Sequence, residues 1–498
     1  MKIRVPKKKI YSNGATLIFK HTKKKATAVT AGFVFGQNRD NYPEPTAHFC
    51  EHMFFKATEN KNEKELRVAM LDTFSRYNGR TNQFYTEIDF LRSNKALEPC
   101  FKLASEMLLQ TKFNTKSINS EKGVIKQELV RRLNNPDAEF RFTCNKTFRT
   151  KYTENTTVLG SQEEIDAMDA KTLKKFRDET FISQNFVITI RGGISYSKAK
   201  RLAEKYFIKK LKSNLDFPVD QNIISPITKA GNLRIDYFNF KKAICNITYK
   251  FDDEFKSTKN EKVLQMLCSI CNGISGKFFS RLRDKGLVYD AGMSYQTRPT
   301  FLLAANVNCS SENINKCIEE FGEVLKELRT TLIDEQIIEK KKENKKLADD
   351  EHTPSIYPDS LFSNYLTYKD ELFSKKLIKE LRKSYEDITP QDIKDVCKIA
   401  FSKPENIYIS ILTEAKPETF YTYEQMQDIL IKNKKPKKAR TPKSETSEKA
   451  ENAVNNKNPA PKTSKSSKSK KAEPVTKANK APKISKKNTS KKKQPAEQ

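Results

Sequence analysis

The stretch His48-Phe49-Cys50-Glu51-His52 contains two histidines and a glutamate at the spacing H-x-x-E-H. Residues four positions apart lie on one face of an α-helix, so the two imidazoles can point at one metal ion. Glu51 would then lie close to a water molecule on that metal. This order is the inverted form of a helical zinc-binding motif. The chain has only four histidines, and two of them lie here. The stretch therefore predicts two ligands of a metal site, on a helix over 46–56.

A third ligand is expected from another segment, because a zinc site that performs chemistry usually has three protein ligands and one open position. Glu121 and Glu128 are seven residues apart, which is two helical turns, so both face the same side of a predicted helix over 117–135. Val124 and Ile125 can pack that helix against the core. The spacing favours neither glutamate, and such a pair is also common on solvated helices.

Length and composition indicate a globular protein of two or three domains. The 498 residues include 31 Phe and 18 Tyr but no Trp, which is enough apolar material for two cores. Nine irregularly spaced cysteines indicate reduced thiols rather than a disulfide framework, and we expect Cys268 and Cys271 to be buried. The N-terminal segment has no apolar signal region and no apolar run is long enough to span a membrane. We therefore expect a cytoplasmic protein.

Positive charge is concentrated at the C-terminus. The chain has a net charge of +32, and 432–498 contributes +17 of it, from 22 Lys and Arg against five Asp and Glu. This segment has no aromatic residue and cannot bury enough apolar area to fold, so we predict a disordered Lys-rich tail. It can bind nucleic acid or an acidic surface, or it can only keep the protein soluble. Charge alone does not decide between these.

The remaining chain repeats one order of predicted strands and helices. The prediction is an α+β fold of two tandem homologous domains, 1–215 and 233–431, joined by a linker over 216–232. Each has an antiparallel-rich sheet covered by helices. In the first half we predict a helix over 62–79 that ends at Asn78-Gly79, then a strand over 81–92. The second half lacks H-x-x-E-H, and His21 and His352 are predicted surface histidines.

The segment 45–58, PTAHFCEHMFFKAT, resembles the signature helix of the pitrilysin/insulinase family of zinc metallopeptidases, which includes the mitochondrial processing peptidases. Segments 13–21 and 79–90 and the duplicated halves extend the resemblance over about 430 residues. The resemblance implies one Zn²⁺ per chain with Glu128 as the third ligand. It also implies that Glu51 is the general base and that Glu121 is a supporting acid beside the ligands.

Two positions depart from the family pattern. Cys50 replaces the usual Leu and is expected to point away from the metal, and Gln83 replaces Ala in the strand that resembles the family's substrate edge. In the second half, 275–293 is similar to the family's R-E-K-x-G-L-x-Y segment, which implies that Arg283 and Tyr289 hold substrate and polarise its carbonyl. The spacing is one residue short, so Arg281 stays an alternative to Arg283. Without the resemblance, these residues are a helix end and a strand tyrosine.

The resemblance implies a zinc endopeptidase in which Glu51 takes a proton from a zinc-activated water. A peptide or unfolded polypeptide would lie extended along the strand near Asn82. The chain corresponds to half of the family's four-domain clamshell, so a homodimer or a heterodimer with a related subunit is expected. Arg283 and Tyr289 would then act on the partner's zinc site. The alternatives are a non-catalytic subunit of the family and a nucleic-acid-associated protein that works through its tail.

Overall fold

The computed structural model describes residues 5–35, 42–82, 84–147, 158–213, 232–297, 300–351, 361–362, 365–366, 369, 373–376 and 386–434. The linker predicted over 216–232 lies outside these residues except for Asn232, and so do the tail beyond Lys434, Gln83 and His352. Both predicted halves belong to one compact unit that ends at Lys437.

The first half contains a six-stranded sheet in the order β1-β2-β6-β3-β5-β4. Its strands are β1 Lys7–Ile10, β2 Thr16–His21, β3 Ala26–Phe33, β4 Arg76–Thr81, β5 Thr86–Ser93 and β6 Phe186–Gly192. Its helices are α1 Thr46–Met53, α2 Glu63–Thr73, α3 Leu97–Leu109, α4 Thr115–Leu133, α5 Pro136–Thr147, α6 Gln162–Ala167, α7 Ala170–Thr180 and α8 Tyr196–Tyr206.

The second half contains a five-stranded sheet in the order β7-β11-β8-β10-β9. Its strands are β7 Leu233–Tyr237, β8 Ala243–Lys250, β9 Val288–Gln296, β10 Leu302–Cys309 and β11 Ile407–Thr413. Its helices are α9 Thr258–Cys271, α10 Lys277–Asp284, α11 Ile314–Thr330, α12 Glu335–Glu351, α13 Pro390–Ile399 and α14 Tyr423–Lys432. Among the helices that the structure describes, none is long and apolar enough to cross a bilayer.

The two sheets share one topology once β1 is set aside. The order β2-β6-β3-β5-β4 has the same chain sequence as β7-β11-β8-β10-β9. In each sheet the last strand lies parallel to the first, β6 beside β2 and β11 beside β7, while the other pairs are antiparallel. This confirms the predicted fold class of two tandem α+β domains. It also makes β4 and β9 equivalent edge strands.

Alternate residues along the strands are buried, and they form a separate core in each half. On β8, Ala243, Cys245, Ile247 and Tyr249 are buried in the second core, whereas the residues between them face the opposite side of the sheet. All nine cysteines are free, and eight are buried, including Cys268 and Cys271. The exposed His21 contacts the carbonyl oxygen of Ile194 at 3.0 Å.

Helix α5 links the halves and is not anticipated by the sequence pattern. It follows α4 in the first half but packs against β11 and β7 of the second sheet. Phe140 forms a small cluster with Ile244 and Leu412, and the Thr143 hydroxyl donates to Asp236 Oδ2 at 2.9 Å. Apolar and polar contacts thus join the two sheets through one helix.

The prediction between residues 62 and 92 is partly wrong. Helix α2 begins with a capping box at Asn62 but ends at Thr73, because Phe74 is already extended at φ −99° and ψ 143°. The Asn78-Gly79 pair lies inside edge strand β4, paired with β5. The strand predicted over 81–92 begins only at Thr86. Before it, Asn82 forms a turn in which its side-chain Oδ1 accepts the backbone N–H groups of residues 84 and 85.

Candidate metal centre

Helix α1 presents both histidines of the motif on one side and its apolar residues on the other. Phe49, Cys50 and Met53 are fully buried in the first core and fix the orientation of the helix. The His48 and His52 rings lie 4.6 Å apart between centroids, at an interplanar angle of 70°. Cys50 points into the core, as the sequence predicts, and burial raises the pKa of its thiol.

Helix α4 brings a carboxylate to these imidazoles. Asn114 caps the helix, and Ile118, Ile125 and Leu129 anchor it in the core. Val124, which the sequence also predicts to pack against the core, is instead 40% exposed.

Glu128 Oε2 lies 3.7 Å from His48 Nε2 and 3.8 Å from His52 Nε2. One ligand atom from each of these three residues falls within 4.8 Å of the others. His48, His52 and Glu128 therefore form a cluster that could hold a metal ion, here called the metal-ligand cluster.

Glu121 lies behind this cluster. Its Oε2 is 2.8 Å from His52 Nδ1, and its Oε1 forms an ion pair with Lys56 Nζ at 2.6 Å. Burial alone would raise the pKa of Glu121, but the bonds from His52 and Lys56 lower it below its usual value. An ionised Glu121 accepts the Nδ1–H of His52 and leaves Nε2 as an acceptor directed at the cluster. Glu121 is thus a support for a ligand. The sequence pattern does not reveal Lys56, although it follows His52 by one helical turn.

The protonation of His48 suits a metal. Burial, followed by the neighbouring His52, lowers the pKa of His48 to about 3, so this ring is neutral. Burial would also lower the pKa of His52, yet the bond to Glu121 and the nearby carboxylates raise it. The buried Nδ1 of His48 has no hydrogen-bond partner among the described residues. Two imidazole nitrogens and a carboxylate oxygen are a donor set that Zn²⁺ accepts in catalytic sites, so the residues fit this metal.

Glu51 lies beside the cluster but is not part of it. The half-buried carboxyl has a pKa raised to about 7 by burial, which exceeds the opposing effect of His52. Edge strand β4 packs next to α1, and Gly79 faces the Glu51 carboxylate and the Phe55 ring. The sequence pattern does not identify Gly79 as part of the site, because Asn-Gly is also typical of a helix end.

Tyr289 and Arg283 belong to the second half, whereas the metal-ligand cluster belongs to the first. Tyr289 is on edge strand β9 and 77% exposed, and the Lys242 ammonium lies 5.4 Å from the centroid of its ring. Arg283 is exposed near the end of α10, 5.6 Å from the centroid of the Phe279 ring. The alternative, Arg281, donates to Glu320 at 2.9 Å. Arg281 is thus paired within its own half, whereas Arg283 is exposed.

Asn82, predicted to bind substrate, stands just after the end of β4. Its side-chain oxygen accepts two backbone N–H groups of the turn, so it is already engaged within the chain. Edge strand β4 itself pairs only with β5 among the described strands. The structure therefore leaves a strand edge near Glu51, with Asn82 shaping its end.

Two family models match consecutive parts of the chain. Insulinase (Peptidase family M16) matches residues 20–161, and the Peptidase M16 inactive domain matches residues 167–345. The chain belongs to the insulinase family, M16. The first M16 match contains all three residues of the metal-ligand cluster together with Glu51. The second covers much of the half in which the described residues contain no such cluster.

Curated M16 relatives carry peptidase names. The chain is 22% identical over 361 residues to an uncharacterized zinc protease, YmxG, of Bacillus subtilis, a match covering 67% of this chain and 80% of the relative. It is 25% identical over 197 residues to a probable mitochondrial-processing peptidase subunit beta of Schizosaccharomyces pombe, covering 39% of this chain and 43% of the relative. The match to this second relative thus spans less than half of its length.

Among solved structures, a protease from Helicobacter pylori superposes with a TM-score of 0.68 at 20% identity. The superposition covers 83% of this chain and 99% of that one. At this identity the similarity shows the M16 fold alone.

Proposed function

We propose that the protein is a zinc-dependent metalloendopeptidase that hydrolyses peptides or unfolded polypeptide segments. The observation that carries this proposal is the convergence of His48, His52 and Glu128 on one point, with Glu51 beside it. The zinc protease relatives and the M16 match over the first half support it.

The chemistry divides between the metal and the chain. The metal-ligand cluster would hold Zn²⁺, which would supply a Lewis acid able to polarise a peptide carbonyl and activate a water molecule. Glu51 accepts the proton of the attacking water and delivers it to the leaving amine. Glu121 keeps the His52 ring oriented throughout.

The substrate would bind as an extra strand along β4. Such pairing uses backbone hydrogen bonds, so it tolerates many side chains and requires an extended, unfolded segment. The turn at Asn82 limits how far the substrate can follow the edge. We therefore expect cleavage of flexible peptides in preference to folded domains.

A second subunit would complete the site. Arg283 and Tyr289 are exposed residues of the second half, so both are accessible to a partner subunit and could reach its zinc site. The relatives named as a subunit beta of mitochondrial-processing peptidase support a dimeric assembly. The partner would be a second copy of this chain or a related subunit.

A non-catalytic partner subunit is the second candidate. The inactive-domain match over the second half favours it, but the intact set of ligands and base in the first half favours catalysis. Binding of nucleic acid or an acidic surface by the Lys-rich tail stays a separate hypothesis about a segment outside the described residues.

The test compares wild type with Glu51→Gln for zinc content and for cleavage of an unstructured peptide. Glu51→Gln removes the proton acceptor but no ligand, so we expect one zinc per chain in both proteins and loss of cleavage in the variant. Glu59→Gln, an exposed glutamate of the same half, is the matched control. Equal cleavage by wild type and Glu51→Gln contradicts the mechanism, and a wild type that binds no zinc contradicts the function.

A further inference from the structure

Gly79 lies where edge strand β4 approaches Glu51 most closely. A Cβ atom placed on Gly79 would lie 2.7 Å from Cε2 of Phe55 and 3.0 Å from Cδ of Glu51, and closer still to Glu51 Oε1. Gly79 is absent from the glycines with positive φ, so its backbone conformation does not require glycine. Glycine is needed here for space, because any side chain would occupy the place of the Glu51 carboxylate.

We propose that Gly79 is a positioning residue for Glu51. Its missing side chain lets the carboxylate lie against the backbone of β4, between the metal-ligand cluster and the strand edge that would pair with a peptide. This inference rests on the proposed function, in which Glu51 is the proton acceptor. It adds that the geometry of this acceptor is set by a residue 28 positions away in the sequence.

The neighbours of Gly79 differ in how easily they can move. The Phe55 ring stacks on Tyr77, with centroids 6.1 Å apart at an interplanar angle of 26°, and both pack against the first core. All six residues of β4 are paired with β5. The Glu51 carboxylate is the end of a flexible side chain. A methyl group at position 79 therefore displaces the Glu51 carboxylate, which moves most easily, and also requires the Phe55 ring to shift away from a 2.7 Å contact.

The first experiment measures cleavage of an unstructured peptide by zinc-loaded Gly79→Ala. A displacement of about 1 Å at a catalytic group costs on the order of 100-fold in rate, so we expect kcat to fall about 100-fold with KM within about threefold and zinc content unchanged. The control is Gly292→Ala on the equivalent edge strand β9, where a Cβ would meet only Asn272 Oδ1 at 3.3 Å. This control should keep kcat within about threefold. A Gly79→Ala variant that retains kcat, or that loses zinc, overturns the proposal.

The second experiment needs no cleavage. Thermal unfolding is measured for wild type, Gly79→Ala, Glu51→Ala and the double variant, all without metal. Because the alanine methyl competes with the Glu51 carboxylate as well as with the Phe55 ring, we expect Gly79→Ala to lower Tm more in the wild-type background than in the Glu51→Ala background. If the Tm change of the double variant equals the sum of the two single changes, position 79 and Glu51 do not interact and the proposal is contradicted. If wild type binds zinc but cleaves nothing, the proposed function fails. The comparison of the four unfolding temperatures still decides whether Gly79 controls the position of Glu51.

Discussion

Glu121 connects the metal-ligand cluster to a lysine near the surface. It holds His52 Nδ1 at 2.8 Å and Lys56 Nζ at 2.6 Å, and Lys56 also contacts Glu63 at 3.2 Å. The His52 ring is thus held from behind, and its free nitrogen faces Glu128. A ligand fixed in this way loses little rotational freedom when it binds a metal, which raises its affinity.

Replacing Glu121 tests this support. Glu121→Gln removes the charge that accepts the His52 Nδ1–H and pairs with Lys56, so we expect zinc affinity to fall about 10- to 100-fold. Chelator competition measures it. Glu106→Gln is the control, because Glu106 is also buried and pairs with a lysine, Lys61, at 2.9 Å. The control should lose stability and keep its zinc affinity; equal affinity in wild type and Glu121→Gln contradicts the support role.

The raised pKa of Glu51 predicts a pH dependence of stability in the metal-free protein. Between its unperturbed value of 4.5 and about 7, the folded state keeps a proton that the unfolded state has lost. The free energy of unfolding therefore decreases as pH rises through this window, by up to about 3 kcal/mol. Glu51→Gln lacks this contribution. Urea unfolding of both proteins at pH 5 and pH 8 measures the difference, and parallel changes in the two would contradict the assignment.

Residue spacing anticipates only part of this site. The i, i+4 histidines and the glutamates seven apart depend on helical periodicity, which the sequence displays directly. The contacts of Lys56 with Glu121 and of Gly79 with Glu51 are tertiary, since they depend on how α4 and β4 pack against α1. The choice between Arg281 and Arg283 likewise depends on Glu320, which lies on a different helix.

At the scale of elements, edge strand β4 and helix α5 are two elements that the local sequence pattern does not predict. The apolar residues before Asn78-Gly79 continue the helical period, yet strand pairing with β5 takes over from Arg76. Helix α5 has a weak apolar pattern because it buries few residues, and these pack against the other half. Local propensity cannot predict either outcome, because in both cases the deciding partner is distant in the sequence.

The contribution of the α5 contacts to the free energy of unfolding can be measured. Phe140 is 9% exposed and packs on Ile244 and Leu412 of the second sheet. Phe140→Ala should lower the free energy of unfolding by about 3 kcal/mol, since large-to-small changes at buried aromatics cost roughly 3–5 kcal/mol. Phe142→Ala, a more exposed neighbour beside Arg132, is the control and should cost less. Equal losses in urea unfolding would show that this contact does not join the halves.

For the whole molecule, duplication gives two halves with the same sheet topology but different candidate functional residues. The sheet orders match strand for strand, and the sequence predicts this duplication because both halves repeat the same pattern of strands and helices. The metal-ligand cluster lies beside β4 in one half, while the exposed Tyr289 lies on the equivalent strand β9 of the other.

A mixed dimer tests whether the two halves cooperate between subunits. Glu51→Gln and Tyr289→Phe subunits are each expected to be inactive as homodimers. When they are mixed, the subunit with an intact Glu51 receives Tyr289 from its partner, so peptide cleavage should reappear. Separately purified but unmixed proteins are the control. Absence of any recovery, with heterodimers verified by differential tags, would contradict the arrangement in trans.

An edge strand that accepts a peptide also invites unwanted association. Unpaired backbone groups on a sheet edge can recruit another chain and start aggregation, and a cover over β4 would block the substrate binding proposed for it. Arg76 and Arg80 lie on this strand, each with 41% of its side chain exposed. Arg76 pairs with Asp89 at 3.6 Å and Arg80 with Glu87 at 3.8 Å, and charged side chains on an edge strand disfavour its pairing with a second copy. The proposed binding of a peptide and the protection of the edge against self-association would thus involve the same six residues.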